Sequence, residues 1–151
     1  MDCIFCKIVS GEAPSHIFWE DQDHVAFLSI FPNTEGVSVV IPKKHYPSDA
    51  FNLPDDVLVG LILAAKRVSV ILDKAFDDVG RTGMIFEGFG IDHVHAKLFP
   101  MHGTVQKEWQ PLSSGISTYF ETYPGYISSH DAARAADDVL AALAERLRRV
   151  Q

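Results

Sequence analysis

The sequence has little cysteine, no long apolar run and no surplus of positive charge, and each shortage closes off a class of protein. Two cysteines in 151 residues cannot build the multi-bridge framework of a small secreted scaffold. No apolar stretch approaches the ~18 residues that a membrane-spanning helix needs. The opening Met1-Asp2-Cys3 has no basic segment followed by a greasy one, so no secretory signal is expected and a cytoplasmic location is the default reading. With 13 Lys and Arg against 20 Asp and Glu the net charge is −7, the wrong sign for a broad grip on nucleic acid. A small anion is still allowed, because a few backbone amides are enough to hold one.

What is present reads as an ordinary globular chain. Apolar residues make up 47% and charged residues 22%, and 151 residues suit one domain over 1–151. The patterning predicts strands over 18–20 and 24–28 around the acidic turn Asp21-Gln22-Asp23, and a third over 37–41, a β-branched run stopped by Pro42. From Pro54 the apolar spacing turns helical through Val57, Leu61, Ala64, Val68, Ile71 and Phe76. Pro54, Asp55 and Asp56 make a normal helix start. Strands are expected over 82–86 and 93–99, separated by Glu87-Gly88-Phe89-Gly90. A last helix is expected from about Asp131 to Arg149, with Ser129 as its cap. Strands paired in sequence beside a long helix and a C-terminal helix imply an α+β fold with an antiparallel sheet.

The chemistry concentrates in Asp92-His93-Val94-His95-Ala96-Lys97-Leu98-Phe99-Pro100. Strand alternation sets His93, His95 and Lys97 on one face, roughly 6.6 Å apart, and Val94, Ala96 and Leu98 on the other. Two uses of such a row are open from the residues alone. An imidazole with one nitrogen tied to an acceptor presents the other as a nucleophile, which on phosphorus gives a phosphohistidine-type intermediate. Alternatively, His93 and His95 both ligate a catalytic zinc with an open position. Cys3 and Cys6, three apart, read as metal ligands, a redox pair or ordinary thiols. The redox reading needs a βαβ context that the segment lacks.

These residues resemble the histidine triad (HIT) family. His93-Val94-His95-Ala96-Lys97-Leu98-Phe99-Pro100 is similar to its His-φ-His-φ-His-φ-φ signature. The opening Cys-Ile-Phe-Cys-Lys-Ile, then Phe27-Leu28-Ser29-Ile30, then Val39-Val40-Ile41-Pro42-Lys43-Lys44-His45 follow the family in order and spacing. The resemblance implies a compact α+β unit, usually dimeric, that hydrolyses or transfers nucleotides. It implies His95 as the nucleophile that forms a nucleotidyl-histidine, with no metal needed for that step. It also implies a structural zinc held by Cys3, Cys6, His45 and His93, as in bacterial members that open with Cys-x-x-Cys.

The pattern departs from the family at three places. Lys97 stands for the third histidine, where it is either a point charge for phosphate or a solvated strand-end lysine. The loop before the signature has Phe86 where asparagine is expected and lacks the usual Gln-Ser pair. Its Gly88 and Gly90 either let amides approach an anion or make a turn. Ser29 replaces an aspartate that grips ribose, so ribose recognition is weakened or moved. These departures keep a second reading alive: a zinc-containing nucleotide-binding protein with weak or no turnover. His16, His24, His102 and His130 have no partners in sequence and are expected to be structural or at the surface. The aromatics Trp109, Tyr119, Phe120, Tyr123 and Tyr126 are expected to form a packing patch or subunit interface.

Overall fold

The computed structural model describes residues 2–106, 108–111, 113, 119–122 and 133–151. Its elements run in chain order as α1 (Ile4–Ser10), β1 (Ile17–Glu20), β2 (His24–Leu28), β3 (Ser38–Pro42), α2 (Asp55–Ala75), β4 (Thr82–Ile85), β5 (Ala96–Pro100) and α3 (Asp137–Arg149), with one 3-10 turn at Ala50–Asn52. The five strands form one antiparallel sheet in the order β1-β2-β3-β5-β4. The α+β expectation holds.

Both faces of this sheet are covered, and the alternation along each strand sorts its side chains between them. Ala26 and Leu28 of β2, Val40 of β3 and Ala96 and Leu98 of β5 pack on α2 and α3. Val25, Phe27, Val39 and Ile41 face the other way, onto Cys3, Phe5 and Ile8. Helix α2 buries Leu61, Ala64, Ala65, Val68, Ile71, Leu72 and Ala75 as one stripe. Pro54 is its N-cap, with Asp55 and Asp56 in the positive first turn.

Helix α1 was not foreseen from the sequence. Cys3 is its N-cap, Phe5 and Ile8 are its buried residues, and Gly11 ends it at φ 79 with its N–H on the Ile8 carbonyl. Two expected boundaries also move. The last helix starts at Asp137 with Ala136 as N-cap, and residues 133–136 are not helical. Ser129 and Asp131 lie outside the described residues. Strand β5 begins at Ala96 rather than at residue 93, because the 92–95 segment is tied instead to the chain leaving β3: the Val94 N–H donates to the Tyr46 carbonyl at 3.0 Å, and the Ser48 N–H to Asp92 Oδ1 at 2.9 Å.

One of the histidines set aside in sequence closes the far end of the sheet. His102 packs edge-on against Phe76, places Nδ1 3.0 Å from Asp78 Oδ1 and directs Nε2 at the Glu35 carbonyl at 2.9 Å. Donating to both partners needs the imidazolium. Burial opposes that charge most strongly, but the Glu35 carbonyl and Asp78 outweigh it and hold the ring above its ordinary value of 6.5. A raised folded-state value gives stability that is fully present below 6.5 and lost as pH rises through the folded value. His102→Gln should therefore cost about 1 kcal/mol near pH 5.5, roughly 2–4 °C in Tm, and less near pH 8.5. Thermal melts at the two pH values check this; equal losses at both would contradict it.

Candidate functional site

The site lies on the α1 side of the sheet, at its junction with the 92–95 segment. His93 and His95 belong to that segment and are buried. Neither ring stands at the open surface that a bare strand would give, because α1 covers this face. Phe5 meets both imidazoles edge-on, at 5.8 Å from His93 and 5.3 Å from His95.

The tautomer of His95 is fixed by the backbone. Nδ1 lies 2.7 Å from the carbonyl oxygen of His93, and a carbonyl only accepts, so Nδ1 carries the proton. Nε2 keeps its lone pair, and among the described residues no hydrogen bond engages it. Burial pushes the ring below the ordinary 6.5, outweighing the His93 carbonyl and the Glu87 charge that favour protonation. The result is a neutral imidazole whose Nε2 lone pair is left available.

His93 is arranged in the opposite sense. Its Nε2 donates to the Pro42 carbonyl at 2.9 Å, which leaves Nδ1 directed at two sulfurs. Nδ1 is 3.4 Å from Cys3 Sγ and 3.6 Å from Cys6 Sγ, and Cys6 Sγ is 3.5 Å from His45 Nδ1. The ligand atoms of Cys3, Cys6, His45 and His93 all lie within 4.8 Å of one another. Zinc bonds of about 2.3 Å to sulfur and 2.0 Å to nitrogen, at the tetrahedral angle, separate S from N by about 3.6 Å. The observed sulfur–nitrogen edges fit that figure. The carbonyl that orients His93 is the usual outer partner of a metal-bound imidazole. Burial, with Cys3 beside it, pushes the Cys6 thiol above its ordinary value, a cost that a divalent cation removes. These four side chains could hold a metal ion. The group contains His93 and not His95, so the two rings do not share one ion as the catalytic-zinc reading requires.

Beside His95 opens a cleft of about 780 Å³. Its walls are mostly apolar, with Phe5 and Ile8 of α1, Phe27 of β2, Val39 of β3, and Ile30 and Ile91 from loops. Such a volume suits a small organic ligand. Ser29, Gly90, His95 and Lys97 line it, as the sequence suggested. Gly88 does not: it takes φ 82, and a Cβ there would meet the Ser48 carbonyl at 3.1 Å, so it serves the turn rather than the cleft. Ser29 Oγ accepts the Phe31 N–H at 3.2 Å.

Lys97 is neither a solvated strand end nor an isolated cation. Its Nζ donates to Glu87 Oε1 at 3.0 Å, and both side chains are largely but not fully covered, at 12% and 6% exposure. Sequence reasoning missed Glu87, though a largely covered lysine needs a counter-charge and Glu87 is the acidic residue of the preceding loop. It also missed His16, Arg134 and Asp137, which border the cleft at its other end. His16 Nε2 lies 3.0 Å from Asp137 Oδ1, and Arg134 donates to both oxygens of that carboxylate. No local pattern announces this contact, which joins residues 121 positions apart.

An antiparallel sheet with helices on both faces, and a His-x-His segment opening onto a cleft, is the arrangement of the histidine triad fold. A zinc-bound histidine triad family protein from Mycobacterium smegmatis superposes with a TM-score of 0.72 over 99% of this chain and 93% of its own, at 21% identity. The chain belongs to the HIT family: the family model described as the HIT domain matches residues 10–104. A HIT-like protein from Methanocaldococcus jannaschii is 37% identical over 105 residues, covering 66% of this chain and 79% of the relative. An adenosine 5'-monophosphoramidase from Schizosaccharomyces pombe is 35% identical over 101 residues, covering 66% of this chain and 74% of the relative. Among the described residues no helix is long and apolar enough to cross a membrane.

Proposed function

We propose that the protein is a nucleotide hydrolase or nucleotidyl transferase whose nucleophile is His95 Nε2. The observation that carries this is the 2.7 Å contact from Nδ1 to the His93 carbonyl, which commits the proton to one nitrogen and leaves the other reactive beside the cleft. A nucleoside fits the apolar part of the cleft, and its phosphorus lies within reach of Nε2. Attack forms a P–N bond to His95 and expels the group opposite, which leaves from a phosphate ester, anhydride or phosphoramidate. Water or another acceptor then takes the nucleotidyl group and returns the electron pair to Nε2. Gly90 and Ser29 supply backbone and hydroxyl contacts to the phosphate and ribose, and Lys97 lies two residues along from the nucleophile.

Cys3, Cys6, His45 and His93 would hold a structural zinc, a closed site of two thiolates and two imidazoles with no step of the chemistry on it. The family resemblance and the exposed apolar residues Val59, Leu63 and Val70 of α2 support a homodimer, and the composition supports a cytoplasmic location. A second reading, nucleotide binding with slow or no turnover, is favoured by one observation: Lys97, at the third triad position, is tied up by Glu87.

One experiment separates the two. Rapid acid-free quenching after mixing with adenosine 5'-phosphoramidate, followed by intact-mass and peptide spectrometry, should find an adenylyl adduct on His95. Nucleotide bound without any adduct or released AMP would favour the second reading.

A further inference from the structure

The loop that carries Ser29 is held from both sides by segments remote in sequence. The Leu28 N–H, one residue before Ser29, donates to the His16 carbonyl at 3.1 Å. The Ile30 carbonyl, one residue after it, accepts the Ala135 N–H at 2.9 Å. These tethers bring His16 and the first residue of α3, Asp137, beside position 29. There His16 Nε2 meets Asp137 Oδ1 at 3.0 Å, which closes the three segments into a ring. Ser29, His16 and Asp137 all line the cleft that His95 lines.

Position 29 brings a hydroxyl to this place but no charge. Ser29 Oγ accepts the Phe31 N–H and keeps its own proton to donate. The carboxylate comes instead from α3. Arg134 donates to both Asp137 oxygens at 3.2 Å and His16 donates to Oδ1, so the direction of the carboxylate is set. A carboxylate accepts along about four directions, and these bonds leave one of them on Oδ2. The Asp137 side chain is 64% exposed, so that direction is open to a ligand in the cleft. The His16 hydrogen bond, then that of Arg134, holds its carboxyl below the ordinary value, which keeps it ionised and purely an acceptor at neutral pH.

An open carboxylate oxygen beside a hydroxyl donor suits a vicinal diol, one hydroxyl donating to the carboxylate and its neighbour accepting from the serine. A base fills the apolar part of the cleft at Phe5, Ile8 and Phe27, so the polar pair falls to the sugar. We propose that Asp137 is the specificity-determining residue for ribose, accepting a hydrogen bond from its 2'- or 3'-hydroxyl while Ser29 Oγ donates to the other. This rests on the reading that the cleft binds a nucleotide with its phosphorus at His95. Asp137 lies outside residues 10–104 that match the HIT domain, so sugar recognition in this chain draws on an element beyond the matched domain.

The test titrates the whole chain by calorimetry with adenosine 5'-monophosphate, its 2',3'-dideoxy form and inosine 5'-monophosphate. The wild type should bind the ribose form about tenfold more tightly than the dideoxy form, the worth of one hydrogen bond to a charged group. Asp137→Ala removes the acceptor from an exposed position. It should bring the two sugars within about twofold of each other by weakening the ribose form alone. Adding Ser29→Asp to that variant should restore the preference. A crystal structure of the wild type with adenosine 5'-monophosphate needs no variant, and should place a ribose hydroxyl within hydrogen-bond distance of Asp137 Oδ2. Equal weakening of both sugars, an unchanged preference, or loss of discrimination between adenine and hypoxanthine instead would overturn the role of Asp137 and leave the nucleotide reading standing. No binding of any of these nucleotides to the wild type would overturn this inference together with the reading beneath it.

Discussion

Substituting alanine for His95 should abolish release of nucleoside monophosphate, by at least about a thousandfold in kcat, while the protein stays folded and still binds nucleotide. The size of the effect follows from the role. A residue that only binds phosphate would raise KM and spare kcat, whereas removing the atom that bonds to phosphorus takes away the step itself. His95 sits among Phe5 and the apolar cleft wall, so truncation leaves a space and costs some stability. Circular dichroism and nucleotide titration must therefore accompany the assay. Turnover that survives in a folded His95→Ala variant would exclude His95 as nucleophile.

Substituting serine for Cys3 should remove bound zinc and lower stability more than any surface substitution. Elemental analysis of the purified wild type should give about one zinc per chain, and the variant close to none. Loss of one thiolate from a four-ligand site takes most of the binding free energy with it, and that energy is part of folding. A loss of several kcal/mol is expected, a fall of roughly 10 °C or more in Tm for a chain of this size. Chelation of the wild type should reproduce the shift. If chelator leaves the wild-type melt unchanged and no metal is found, the four side chains are a thiol–imidazole cluster and nothing more.

The parts of this molecule that could be read from sequence are those fixed by local periodicity. The β-branched run before Pro42 and the long stripe after Pro54 became β3 and α2 within a residue or so, because alternation and helical spacing act over neighbouring residues. The His-x-His segment and the Cys-x-x-Cys pair were visible as unusual residue types at fixed spacing. Helix α1 was not, since seven residues give barely two turns of pattern; Phe5 and Ile8 ahead of Gly11 were the available signal. The tertiary contacts were less legible still. Glu87 meets Lys97, and His16 meets Asp137, only because the sheet and α3 bring distant segments together. Burial of His93 followed from the same missed helix. Trp109, Tyr119 and Phe120, expected to form a packing patch or a subunit interface, are exposed at 73%, 87% and 54% in the single chain and so form no packing patch within it, and Tyr123 and Tyr126 lie outside the described residues.

The acceptor that holds His95 in its reactive tautomer belongs to the main chain of residue 93, not to a side chain. Every amino acid brings the same carbonyl, so no single codon change at that position can delete it. Over evolutionary time a lineage can therefore trade away the imidazole at position 93 and still inherit the same tautomer of His95 two residues later. Losing the four-residue cluster does not by itself disturb the orientation of the ring at position 95.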